Sequence, residues 1–190
     1  MGTSIKAALV VIFGFLLTGT SVFAATVFSA TLSGTNEVPP TASTATGSVT
    51  VTLSGDTLSV SELFSGLGSP STAAHIHCCG AVGVNEPIAV PFTTFPTGVT
   101  AASFTGTFDL TNSTTYSAAF LTATGGTAAD AESALIAGLN GGQAYANIHS
   151  TVDPGGEIRG QLFAAPEPIT LFLTGSVLVG LAFLRRRRAT

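Results

Sequence analysis

The chain has 190 residues, of which 45% are hydrophobic and only 8% charged, whereas an ordinary soluble domain is about a quarter charged. Its net charge of -4 conceals an uneven distribution, because five of the six basic residues are Lys6 and the four arginines at 185–188. Residues 26–165 therefore hold nine acidic side chains and a single basic one, Arg159. A body of this charge cannot neutralise a row of phosphates, which excludes a nucleic-acid-binding protein.

The N-terminal residues 1–24 have the three parts of a secretory signal peptide. Lys6 supplies a short basic region, residues 7–17 an apolar region, and Val22-Phe23-Ala24 a small-residue cleavage pattern. A buried N-terminal helix is a weaker interpretation, because Thr/Ser-rich, strand-like sequence follows at once. The pattern predicts export of the chain.

The C-terminal residues 165–190 contain an apolar run at 169–184 that ends in four consecutive arginines. A helix over this run covers about 24 Å, slightly less than a hydrocarbon core of about 30 Å, so the run predicts a short transmembrane helix. Arginines are costly to translocate and are attracted to anionic cytoplasmic lipid. We therefore expect the C-terminus to stay inside and the body to lie outside the cytoplasmic membrane.

The tripeptide Pro166-Glu167-Pro168 precedes this apolar run. Its order with the short helix and the terminal arginines resembles the PEP-CTERM sorting signal of Gram-negative bacteria. The resemblance implies recognition by an exosortase-type membrane protease, removal of the helix during sorting, and delivery to the cell surface or the extracellular space together with extracellular polysaccharide. A permanent tail anchor, in which the prolines only delay the start of the helix, is the alternative that the sequence leaves open.

The body, residues 25–164, is long enough for one domain with its own core. Alternating apolar and small polar residues occur at 28–32, 47–53, 58–63 and 104–110, and further strand-like runs at 116–122, 144–150 and 158–163. Such alternation predicts half-buried antiparallel strands, and Ser54-Gly55-Asp56 predicts a hairpin turn between two of them. The fold class is therefore all-β, an antiparallel β-sandwich or Greek-key barrel of about seven or more strands.

One short helix interrupts this pattern. Thr127 can cap a helix over residues 128–139, and Asn140-Gly141-Gly142 is a stop signal. Ala131, Leu135 and Leu139 fall on one face of this helix, which we expect to be its buried face.

The three histidines are the residues best suited to chemistry. In a strand, His75 and His77 point to one face, and His149 shares a face with Tyr145 and Asn147. If the two strands are neighbours, the three imidazoles converge as a nitrogen-ligand site for copper or zinc. The alternative is that they bond backbone and carboxylate groups and fix a loop.

Cys78 and Cys79, the two cysteines of the chain, directly follow His77. Adjacent cysteines cannot close a long loop, and they bond to each other only through a strained eight-membered ring. Four states remain open: two free thiols, a vicinal disulfide, an intermolecular bridge, or thiolates that join the histidines around a soft metal. We favour the vicinal disulfide or the free thiols.

Four segments of the body occur in a fixed order: LSGTNEVPP at 32–40, AHIH at 74–77, GQAYANIHS at 142–150 and PGGEIRGQL at 154–162. They resemble the four blocks of the CHRD domain, recognised in chordin and recurrent in exported bacterial proteins. This chain has Cys78-Cys79-Gly80 where family members commonly have Gly-Pro, and Ser150 where Thr is usual. The resemblance implies an all-β extracellular module without an established enzymatic activity.

Glu37, Glu157 and Arg159 lie within these segments and suggest a structural role. Glu157 and Arg159 follow a turn and share one strand face, so they can pair with each other or with Glu37. Because Arg159 is the sole base of the body, we expect it in an ion pair or a carboxylate clamp. No catalytic residue is predicted, since the many serines lack a distinguishable nucleophile motif.

Two functions remain in competition. The first is an exported, non-enzymatic cell-surface or extracellular-matrix protein, sorted through its C-terminal segment and associated with the envelope, extracellular polysaccharide or other surface proteins. The second is a metal-binding or redox β-sandwich protein that uses His75, His77 and His149. An animal-like signalling antagonist conflicts with the arginine tail.

Overall fold

The structure is a computed structural model that describes residues 25–165. The predicted signal peptide, the Pro166-Glu167-Pro168 motif and the apolar run with its arginine tail lie outside the described residues. Within the described range, neither helix has the length and apolar character needed to cross a membrane.

Residues 25–165 form nine strands and two α-helices. In chain order they are β1 (Thr26–Ser33), β2 (Thr46–Ser54), β3 (Thr57–Ser65), β4 (Ser71–His77), β5 (Ile88–Pro91), β6 (Ala102–Asp109), α1 (Ala118–Thr124), α2 (Ala128–Asn140), β7 (Tyr145–Ser150), β8 (Ile158–Gln161) and β9 (Phe163–Ala164).

All nine strands belong to one antiparallel sheet. Its order is β5-β4-β7-β8-β1-β2-β3-β6, and β9 pairs with β1. The sheet curls, so that apolar side chains from its two halves meet in one core. Seven of the strands contribute residues with no exposed surface, among them Phe28, Leu32, Val51, Leu58, Ile76, Val90, Ile148 and Ile158. The predicted all-β antiparallel class is confirmed, and the sheet has the β-sandwich type of core.

The predicted hairpin and the predicted helix are both present. Ser54 pairs with Thr57 across the two-residue turn Gly55-Asp56, where Gly55 has a φ of 55° that favours glycine. Helix α2 begins after Thr127, whose side chain accepts a hydrogen bond from the backbone N–H of Asp130. These local signals were sufficient to predict the two elements, because the glycine permits the backbone conformation of the turn and the Thr127 side chain bonds a backbone N–H at the start of the helix.

The strand predicted at 116–122 is wrong, because this segment turns into helix α1. The side chain of Ser117 accepts the backbone N–H of Phe120 (3.1 Å) and caps the helix. Phe120 is buried four residues after Tyr116, and the two rings stack with centroids 6.0 Å apart. The cap and the buried ring of Phe120 favour a helix over the predicted strand, so the domain has two helices where one was expected.

A polar layer lies on the outer face of β4, β7 and β8, which is the face opposite the core residues Ile76 and Ile148. Loops at 34–45 and 78–87 come together here, since the Asn85 side chain donates to the carbonyl oxygen of Val38 (2.7 Å). Glu37, in the first loop, is only 5% exposed. The sheet therefore buries polar side chains on this face as well as apolar ones in its core.

The first and last strands lie side by side. Phe28 of β1 pairs with Ala164 of β9, and the backbone N–H of Ala165 donates to the carbonyl oxygen of Val27 (2.7 Å). The two ends of the described chain therefore leave the domain at the same place.

Candidate metal centre

The strands β4 and β7 bring the three histidines together. They are neighbours in the sheet, with His77 opposite Tyr145 and His75 opposite Asn147. Because side chains alternate along a strand, His75, His77 and His149 all project from the outer face. One ring nitrogen from each of the three lies within 4.8 Å of the other two.

Backbone carbonyls fix the tautomers of two of these imidazoles. Nδ1 of His77 lies 2.7 Å from the carbonyl oxygen of Glu86, and Nδ1 of His149 lies 2.9 Å from that of Pro154. A carbonyl can only accept, so each Nδ1 carries the proton and each Nε2 keeps its lone pair. This is the arrangement found when histidine ligates a metal and its other nitrogen bonds a backbone carbonyl.

The free nitrogens of the cluster point toward one another. Nε2 of His77 is buried and has no hydrogen-bond partner among residues 25–165. Nε2 of His149 lies 3.1 Å from Nδ1 of His75, which donates to it in the absence of metal. A buried nitrogen without a partner is costly, and a metal ion is one group that would satisfy it.

Burial keeps the three imidazoles neutral. Desolvation is the main cause that lowers the pKa of His75 to about 4, with further lowering from the charges of His149 and His77. Desolvation also lowers the pKa of His77 and His149, although the carbonyl groups of Glu86 and Pro154 oppose this shift. Neutral imidazole is the form that binds metal ions, so the cluster is in its ligating state near neutral pH.

An aromatic stack holds His77 from the side of β8. The ring of Tyr145 lies parallel to that of His77, with an interplanar angle of 2° and centroids 4.7 Å apart. The guanidinium carbon of Arg159 lies 3.3 Å from the centre of the Tyr145 ring. The Tyr145 hydroxyl accepts the backbone N–H of Glu86 (3.1 Å), which links the stack to the loop that orients His77. We call His77, Tyr145 and Arg159 the stacked triad.

Arg159 and Glu157 have different hydrogen-bond partners. Arg159 is 2% exposed and donates to Asn85 Oδ1 (3.0 Å) and to the carbonyl oxygen of Val84 (2.9 Å). Glu157 Oε1 accepts from the Ser43 hydroxyl and from a backbone N–H, each at 2.7 Å. Both residues are buried, and the ion pair or carboxylate clamp expected of Arg159 with Glu157 or Glu37 stays a prediction.

Glu37 interacts with Arg159 through its charge. Burial raises the pKa of Glu37 to about 7, and the positive charge of Arg159 is the largest influence in the opposite direction. Glu37 Oε1 has no hydrogen-bond partner within the described range. The side chain therefore changes its charge near neutral pH, beside the stacked triad.

Cys78 and Cys79 form a vicinal disulfide in this structure. Both sulfur atoms contact the position that a side chain on Gly138 of α2 would occupy, and Sγ of Cys79 lies 3.3 Å from the carbonyl oxygen of Ala134. The disulfide thus packs against the helix, and the group of donor nitrogens described above consists of histidines alone.

Two features were missed by sequence reasoning, one in the site and one in the core. Tyr145 and Arg159 were not connected with His77, because their stacking depends on the order of β4, β7 and β8. Glu62 was not recognised as buried, although it occupies an apolar position of the alternating strand β3, between Val60 and Phe64. It is 1% exposed, which raises its pKa to about 8.

Comparison with known proteins assigns the domain. No curated protein sequence matches the chain, and no solved structure matches it. The family model described as CHRD domain matches residues 28–162, which include all three histidines, the stacked triad and the loops that cover them. The chain therefore belongs to the CHRD-domain family.

Proposed function

We propose that this chain is an exported, non-enzymatic cell-surface or extracellular-matrix protein, sorted through its PEP-CTERM-like C-terminal segment and associated with the envelope or with extracellular polysaccharide. The observation that carries this proposal is that the chain consists of one folded domain with a targeting-like segment at each end. Nine paired strands and the core lie within residues 25–165, between two segments with the patterns of targeting sequences. Cleavage at both ends would leave every strand intact, because β1 begins at Thr26 and β9 ends at Ala164.

Cell fractionation tests this proposal. The full chain is expressed with an epitope tag in the exposed turn at Gly55-Asp56, in a Gram-negative host that has an exosortase-type protease. We expect the tagged domain at the surface or in the medium, without its C-terminal helix. Replacement of Pro166, Glu167 and Pro168 by alanine should leave the helix attached and the protein in the membrane fraction. A tagged chain recovered from the cytoplasm would contradict export, and an uncleaved wild-type chain in the membrane would favour a permanent anchor.

Metal binding is a second candidate function, and the histidine cluster favours it. Three neutral imidazoles face one another, two of them have their tautomers fixed by carbonyls, and Nε2 of His77 is buried without a partner. Loop fixation alone accounts for the Nδ1 bonds of His77 and His149 but not for the convergence of the remaining nitrogens. Three histidines with an open position suit copper or zinc.

Elemental analysis and equilibrium dialysis test this second function. The full chain should retain about one equivalent of copper or zinc, as one site of three ligands implies. His77→Ala should abolish retention, because it removes the most buried donor. Ser61→Ala, at an exposed position of β3, is the control and should retain the metal. Equal metal content in the His77→Ala and Ser61→Ala proteins would exclude this site.

A further inference from the structure

We propose that the three-histidine cluster selects monovalent copper, Cu(I), over zinc and other divalent ions, and that Arg159 is the residue that sets this selectivity. The inference rests on the metal-binding function proposed above. Its basis is the charge around the donors rather than the donors themselves.

The donor set contributes no negative charge. The group of converging ligand atoms consists of the imidazoles of His75, His77 and His149, with neither a carboxylate nor a thiolate. An ion bound there keeps its full charge, and that charge meets whatever field the surrounding residues create. A divalent ion is affected by the field twice as strongly as a monovalent ion.

The field includes a buried cation. Tyr145 stands between His77 and Arg159, because β7 lies between β4 and β8. The spacings within the stacked triad place the guanidinium on the order of 8 Å from the centre of the His77 ring. A metal ion bound to the His77 ring is therefore repelled by the positive charge of Arg159.

The immediate partners of Arg159 leave its charge largely in place. The guanidinium bonds the Asn85 amide and the Val84 carbonyl and lies over the Tyr145 ring, all of which are uncharged. Glu37, whose charge acts on Arg159, has a pKa of about 7 and is therefore only partly ionised at neutral pH. The carboxylate of Glu86 lies against Gly80. None of these acids belongs to the ligand group.

Coulomb's law gives the size of the effect. Two unit charges about 8 Å apart at an effective dielectric constant of about 20 repel each other enough to weaken binding about thirtyfold. Cu(I) carries one charge and Zn(II) two, so the repulsion from Arg159 is twice as large for Zn(II). The buried arginine should therefore shift the ratio of the two affinities toward Cu(I) by about thirtyfold.

Coordination number acts in the same direction. Zinc is almost always four-coordinate and would need an added water or anion beside the three imidazoles. Cu(I) is satisfied by three donors, and imidazole is among the ligands that suit copper. The geometry and the charge thus favour the same ion.

Competitive metal titration of the full chain tests the proposal. Cu(I) is supplied anaerobically against a chromogenic chelator, without thiol reductant so that the Cys78–Cys79 disulfide stays oxidised, and Zn(II) is titrated against its own chelator. The readout is the ratio of the Cu(I) and Zn(II) affinities. Arg159→Met should lower this ratio about thirtyfold relative to the wild type, whereas Arg159→Lys, which keeps the charge, should preserve most of it. If Arg159 had only a structural role, both variants would bind Cu(I) and Zn(II) more weakly by the same factor, and the ratio of the affinities would not change.

A further variant changes the charge near the site and leaves all three residues of the stacked triad in place. Glu37→Gln removes the partly ionised acid, so the ratio should rise in favour of Cu(I). Circular dichroism confirms that each variant is folded. If the protein binds zinc and none of the three variants changes the ratio of the Cu(I) and Zn(II) affinities, the proposed selectivity is overturned and metal binding stands. A wild-type chain that binds neither ion would remove both proposals.

Discussion

Glu62 is the most unfavourably placed carboxyl group that the structure describes. Its side chain points into the core from β3, opposite Val49 on one side and Phe104 on the other, and neither carboxylate oxygen has a hydrogen-bond partner within residues 25–165. Desolvation alone raises its pKa from 4.5 to about 8. We predict that Glu62 makes the domain less stable as the pH rises, and that Glu62→Gln removes this dependence.

The sign follows from proton binding. Between the unfolded pKa of 4.5 and the folded pKa of about 8, the folded chain holds a proton on Glu62 that the unfolded chain has lost. The free energy of unfolding therefore falls as the pH rises through this range. A difference of this size corresponds to about 3 kcal/mol of lost stability at pH 7, and to none well below the unfolded pKa.

Urea denaturation at a series of pH values measures the effect. The quantity of interest is the free energy of unfolding of Glu62→Gln minus that of the wild type, in which contributions of distant titrating groups cancel. It should be small near pH 4 and should reach about 3 kcal/mol in favour of the variant at pH 7. A difference that stays flat over this range would refute the reasoning, since it would mean that Glu62 reaches water or a hydrogen-bond donor.

Three further predictions concern other parts of the domain. Gly138→Val should cost about 1–3 kcal/mol in urea denaturation, because its Cβ would collide with both sulfurs of the disulfide, whereas Gly155→Ala, with open space around it, should be nearly neutral. Thr127→Ala should cost about 1 kcal/mol by the same assay, since the N–H of Asp130 loses its cap. Acidification of the metal-free chain below the unfolded histidine pKa should reduce its stability, because the folded pKa of His75 is depressed to about 4; His75→Gln should flatten that slope, and an unchanged slope would contradict the burial of its neutral form.

The sequence was most informative where a local pattern carried the information. Alternation placed β1, β2, β3 and β6, and the Thr127 cap located α2, because these signals depend on neighbouring residues only. The strand predicted at 116–122 was wrong, because the Ser117 cap and the buried Phe120 belong to helix α1. A short, largely apolar run does not by itself distinguish a strand from a buried helix.

The candidate site was predictable in its members but not in its surroundings. His75, His77 and His149 could be named from their strand positions, conditional on the pairing of β4 with β7 that the structure has. Tyr145 and Arg159 acquire their role only through the order β4-β7-β8, which joins residues distant in sequence. Charge environment is a property of that three-dimensional neighbourhood, so the proposed ion selectivity had no counterpart in the sequence.

The pairing of the first and last strands brings the two ends of the domain next to each other. Since the N–H of Ala165 already bonds the carbonyl of Val27, a short linker would join the two ends without disturbing the sheet. New ends could then be opened at the exposed turn Gly55-Asp56, which interrupts no strand. A circularly permuted domain would keep every strand pair and the histidine cluster, while its points of attachment to a membrane or to a second protein would move to another side of the molecule.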